Sequence, residues 1–193
     1  MLLRAFALCF ALVCCPLAAA GQCPADASAS AISLEPLRQL IDARLALMPD
    51  VARHKWNTHG AIDDLVREQQ VVDALKARAQ ALGVPRPWAE RFFRAQIDGA
   101  KQIQRARFAQ WEQAGAGQFA DVPDLVTVIR PRLDGLTADL LRALGEAWPA
   151  LADPCQRARI AAAMAHLEHA TPQAAATVTA PLLEAGVAPD SLP

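Results

Sequence analysis

Apolar residues recur at three- and four-residue spacing along most of the chain. In LEPLRQLIDARLALMPDV, residues Leu37, Leu40, Ile41, Met48 and Val51 fall on one helical face. This predicts a first helix from about Leu34, with Ser33 as N-cap, to about Trp56, kinked or interrupted at Pro49. NTHGAI reads as a loop. Asp63 or Asp64 then caps a second helix with a stripe of Leu65, Val72, Leu75, Ala79 and Leu82, which stops at Gly83. A third helix, from about Trp88 to Gln113, carries Phe93, Ile97, Ala100, Phe108 and Trp111 on one side. AGAGQFADVPD is a crossing loop. Beyond it, three helices are expected over about 124–146, 154–169 and 172–185, separated by WPALADP and ATP. No internal repeat and no alternating strand pattern stands out, so the reading is an all-α, single-domain bundle of about six helices.

The polar residues that break these stripes carry the chemistry. Extending the first register puts Arg44 and Lys55 on the apolar face; Glu68 falls inside the second stripe with Arg67 at its flank, and Gln104 sits between Ala100 and Phe108. A single inward polar residue is usually a satisfied core group. Three cations against one carboxylate are different, because buried positive charge in excess is costly unless an anion completes it. Arginine suits planar carboxylates through its fork, and lysine supplies a compact charge near one oxygen. A small molecule with two carboxylates and a hydroxyl would satisfy the set.

Composition narrows the setting. The first twenty residues, MLLRAFALCFALVCCPLAAA, have an early positive charge at Arg4, an apolar run and small residues at Ala18 and Ala20, the layout of a cleavable secretory signal. That places residues 1–20 in a signal peptide and the mature domain at 21–193, with a periplasmic or secreted product and no membrane anchor after processing. Processing would leave Cys23 and Cys155 in a compartment where disulfides persist, so a bridge between them is expected, with two unpaired thiols as the alternative. With 19 basic and 20 acidic side chains the net charge is −1, which gives no support to a nucleic-acid or membrane-surface partner. Tyrosine is absent and alanine abundant, in favour of helices over sheets.

Other chemistries find no foothold. No mature serine or cysteine has a readable histidine and acid partner, and there is no glycine-rich phosphate loop. His166 and His169 stand three apart in HLEH, a spacing that on a polar helix face more often marks solvated side chains than metal ligands. The expected metal and cofactor content is none.

In order and spacing, these residues resemble the all-helical chorismate mutases, in particular their exported gamma subclass. The resemblance rests on Arg44, on Lys55 in VARHKW, on Asp64, Arg67 and Glu68 in IDDLVRE, on Gln104 in FFRAQIDGAKQIQ, and on Arg130 in DLVTVIRP. It implies an isomerase that converts chorismate to prephenate, with a catalytic half over about 33–113 and a supporting half over about 121–186. It implies that Arg44, Arg67 and Arg130 grip the carboxylates, that Lys55 and Gln104 donate to the ether oxygen, and that Glu68 accepts from the ring hydroxyl with Asp64 in support. Ala100 stands where some members carry a hydroxyl, a contact left to a backbone group or to Lys101. Members of this class are often dimers, so a homodimer is compatible with the resemblance. The competing reading of the same residues is a non-catalytic periplasmic helical protein that binds a small dicarboxylate.

Overall fold

The computed structural model describes Cys23 and residues 32–186; the expected signal peptide lies outside the described residues. Seven α-helices form among them, with no strand. They are α1 (Glu35–Ala46), α2 (Met48–Asn57), α3 (Leu65–Ala81), α4 (Arg86–Gln113), α5 (Arg130–Leu151), α6 (Arg157–Met164) and α7 (Pro172–Leu183). The expected first helix is interrupted as Pro49 requires. It sits in the first turn of α2, where its missing N–H leaves no gap in the ladder. Proline also opens α1, α4, α5 and α7, and Asp64 caps α3 by accepting from Arg67 N at 3.1 Å.

Helix α4 is the spine, 28 residues and about 42 Å long at 1.5 Å per residue. It packs on α7, α3 and α2, while α1 packs on α5. Gly99 lets α4 approach α7 closely, since a Cβ there would lie 2.4 Å from Val178 Cγ1. Two buried side chains lock the same pair: Trp88 Nε1 donates to Pro181 O and Gln96 Nε2 to Val178 O, both at 3.0 Å. Leu37, Ile41, Phe92, Phe93, Leu140 and Leu144 form the shared core of both halves. Cys23 and Cys155 are bridged, with Cα atoms 5.5 Å apart.

Three expectations need correction. Leu65 and Leu82, placed on the α3 stripe, are 71% and 44% exposed; one lies in the first turn and the other just past the last, where the helix has not entered or has already left the core. Helix α5 runs through Pro149 to Leu151 instead of stopping at Glu146. So near the end, the proline costs one ladder bond, while Trp148 packs against Trp88 with ring centroids 4.8 Å apart and Leu151 is fully buried. Helix α6 ends at Met164, so HLEH is not helical. There Asp42 on α1 accepts from His169 N at 2.9 Å and lies 2.8 Å from its Nδ1, drawing the chain off the helix; His169 is thus paired, though exposed.

Candidate active site

Five segments converge on one cavity of about 360 Å³. Helix α1 contributes Arg44, α2 Lys55, α3 Asp64, Arg67 and Glu68, α4 Ala100, Lys101 and Gln104, and the start of α5 Arg130, Asp134 and Thr137. All eight residues singled out in the sequence therefore line the same space. Met48, Val51, Val71, Ile97, Leu125 and Leu133 supply apolar wall between the charges. Such a lining suits a small ring that carries polar groups at its edge.

Arg130 reaches the cavity through a local irregularity. Residues Leu125–Ile129 form a π-helical turn, capped by Asp124, whose Oδ1 accepts from Val126 N at 3.0 Å and Thr127 N at 2.7 Å. The wider turn feeds straight into α5, and π turns of this kind often sit at functional sites because they re-aim one side chain. Hydrogen bonds from Thr127 hold the Asp124 carboxyl below its usual range.

The cations differ in how they are held. Arg44 Nη1 donates to Thr137 Oγ1 and, at 3.4 Å, to Leu133 O, so α5 fixes it from across the bundle. Burial pushes its pKa down to about 10, with Asp134 pulling the other way; the residue as a whole is half-buried, so the desolvation is concentrated at the charged end. Lys55 Nζ donates to Ile62 O at 2.8 Å, which leaves two of its three donors for a ligand. Its pKa is lowered, chiefly by burial, against the pull of Glu68, Asp63 and Asp64. The guanidinium groups of Arg67 and Arg130 have no hydrogen-bond or ion-pair partner among the described residues, although both line the cavity.

The acids are more committed. Asp64 spends one oxygen on the N-cap of α3, and Glu68 returns the favour by accepting from Asp64 N at 3.0 Å. The other Glu68 oxygen receives Lys101 Nζ at 3.0 Å. Gln104 is 4% exposed; its Nε2 donates to Ala100 O at 3.3 Å and touches Met48 Sδ at 3.6 Å, while Oε1 is buried with no partner among the described residues. In all, five cations, Arg44, Lys55, Arg67, Lys101 and Arg130, face three carboxylates, Asp64, Glu68 and Asp134. The lining carries two positive charges in excess, the charge of a dianion with opposite sign.

Thr137, which holds Arg44, and Asp134, whose charge favours its ionised form, could not be foreseen, because nothing in a single helix pattern says which distant residue will meet it. A metal-type grouping of Asp42, Glu168 and His169 exists among the described residues and lines a different pocket.

The family described as chorismate mutase type II matches residues 35–105, from α1 through Gln104. A secreted chorismate mutase of Mycolicibacterium smegmatis is 35% identical over 132 residues, which span 67% of this chain and 72% of the relative. This chain belongs to the chorismate mutase type II family. Over a shorter stretch, 72 residues, it is 38% identical to a secreted chorismate mutase of Yersinia pestis, covering 37% of this chain and 39% of that one. The crystal structure of a chorismate mutase from Burkholderia thailandensis is similar with a TM-score of 0.70 at 35% identity, over 77% of this chain and 98% of that one. The architecture described above is thus similar to that of a solved chorismate mutase. Arg130 lies beyond the family match, and its place in the site rests on the cavity geometry.

Proposed function

We propose that this chain is an exported chorismate mutase of the gamma subclass, which rearranges chorismate to prephenate within a site built by one chain. In this reaction the ring carbon to ether oxygen bond breaks while the enolpyruvyl methylene carbon bonds to the ring, and no atom is gained or lost. No nucleophile is needed. The enzyme's task is to hold the folded conformer and to place positive charge where the ether oxygen gains electron density.

Arg44, Arg67 and Arg130 grip the two carboxylates, Lys55 and Gln104 donate to the ether oxygen, and Glu68 accepts from the ring hydroxyl with Asp64 beside it. The observation that carries this reading is the meeting of Lys55 and Gln104 in a cavity with two surplus positive charges. A receptor for a simple dicarboxylate would need the arginines alone. Export is supported by the signal-like first twenty residues, by the Cys23–Cys155 bridge and by relatives named as secreted.

The test is the loss of chorismate absorbance, with prephenate as product, in the presence of protein starting at Gly21. The rate should be the same with and without a chelator. Saturable binding of chorismate with no turnover would instead leave a dicarboxylate-binding protein.

A further inference from the structure

Lys101 is the cation of the cavity that the family pattern does not account for. It follows Ala100 on α4, and its side chain is only 12% exposed. Its ammonium meets Glu68 Oε2 and Asp63 Oδ1, each at 3.0 Å, with Asp98 further off at 3.7 Å. Asp63 is itself shared with Arg105 at 2.7 Å. Glu68, 19% exposed, therefore has one oxygen on Asp64 N and the other on Lys101. An ionised carboxylate has about four acceptor sites, so two remain open. The backbone of α3 fixes one end of this carboxylate and the side chain from α4 fixes the other, which removes its rotational freedom before any ligand arrives.

We propose that Lys101 is a positioning residue, which holds the Glu68 carboxylate in the orientation that receives the substrate's ring hydroxyl. This rests on the functional reading above. Lys101 acts through Glu68 and not on the reacting atoms, so its effect belongs to recognition of the hydroxyl, a contact made alike in the ground state and the transition state. Burial disfavours the ammonium, but Glu68 and Asp63 outweigh it and raise the Lys101 pKa, so the clamp stays charged throughout the neutral range.

The experiment compares wild-type protein with Lys101→Met, which removes the charge and keeps the length of the side chain. KM for chorismate and the inhibition constant of a chorismate analogue without the ring hydroxyl are both measured. KM should rise roughly tenfold or more with kcat within about twofold, as loss of a charge-assisted contact common to both states requires. The inhibition constant of the analogue should be the same for the two proteins. Lys101→Arg should recover most of the loss, and Lys101→Met should add little in a Glu68→Gln background, where the carboxylate is gone. An equal loss for chorismate and the analogue would mean direct contact with a shared group and would overturn the inference. A fall in kcat at unchanged KM would mean a smaller folded fraction and would overturn it too. Should Lys101→Met fail to fold, Lys101→Gln undergoes the same comparison. Wild-type protein inactive on chorismate would sink the functional reading and this inference with it, whereas active wild-type protein and an indistinguishable Lys101→Met would sink the inference alone.

Discussion

Arg44 on α1 donates to the hydroxyl of Thr137 on α5, and that hydroxyl donates in turn to Leu133 O at 2.6 Å. The arginine is thus fixed while its charge is left without a bonded carboxylate. In the unliganded protein this is a cost, because the guanidinium is desolvated and an acid in direct contact does not repay it. A substrate carboxylate would repay it. Arg44→Met should therefore leave the unliganded Tm equal to or above that of the wild type, since Thr137 keeps its own acceptor, while kcat/KM falls by about a hundredfold or more. Thermal melts paired with steady-state kinetics check this, and a large drop in Tm would show that Arg44 stabilises the empty fold.

Lys55 gives a second prediction. Charge on the ether oxygen develops mainly on the way to the transition state, so Lys55→Ala should lower kcat by about two to three orders of magnitude with a smaller change in KM. Burial lowers the Lys55 pKa, so the cation is present below that lowered value and is lost as pH rises through it. The alkaline limb of the pH–rate profile should fall at a lower pH than an unperturbed lysine, about 10.4, would give. Lys55→Arg should push that limb upward in whatever activity it retains.

Gln104 donates at any ordinary pH, and replacing it with an acid reverses this. Ionised glutamate at 104 would repel both the developing negative charge and Ala100 O, which the amide now contacts at 3.3 Å. Only the protonated acid can donate. Gln104→Glu should be poor near neutrality and improve as pH falls, whereas the wild-type profile stays flat from about pH 5 to 8, where no assigned group has its ordinary pKa. Parallel profiles with helical circular dichroism as the folding control decide it, and superimposable curves would remove Gln104 from the reacting oxygen.

The disulfide spans a sequence separation of 132 residues. In the chain-entropy account, closing such a loop restricts the unfolded chain by about 5 kcal/mol. Reduction should lower the denaturant midpoint markedly and raise the m-value, because the freed chain exposes more surface on unfolding. Activity of the folded reduced protein should be retained, since neither cysteine lines the cavity. An unchanged midpoint after verified reduction would show that the bridge contributes little.

The sequence was most readable where local periodicity and burial agree. Leu37, Ile41, Phe93 and Val72 repeat at helical spacing and are buried to the last few percent, and the inward cations Arg44 and Lys55 stood out because they broke that pattern. Periodicity says nothing about contacts across the bundle, which is why Thr137 as the acceptor for Arg44 and Glu68 as the partner of Lys101 emerge only in three dimensions. Local rules also yield to packing. Pro149 ought to end a helix, yet the burial of Leu151 and the packing of Trp148 against Trp88 carry α5 past it. The π turn before Arg130 has no periodic signature at all, since it is set by the capping of Asp124 and the docking of Ile129.

The Cys23–Cys155 bridge has a topological side. Every residue that lines the cavity, from Arg44 to Thr137, lies between the two cysteines in sequence and so inside one covalent ring. The exposed stretch around Gly115 and Gly117 lies in that ring as well. A protease that cuts there would open the ring without releasing either piece: the helices before the cut and those after it would remain joined through sulfur. Outside the cell, where proteases are common and thiols scarce, such a nicked molecule would migrate as one species until it met a reductant.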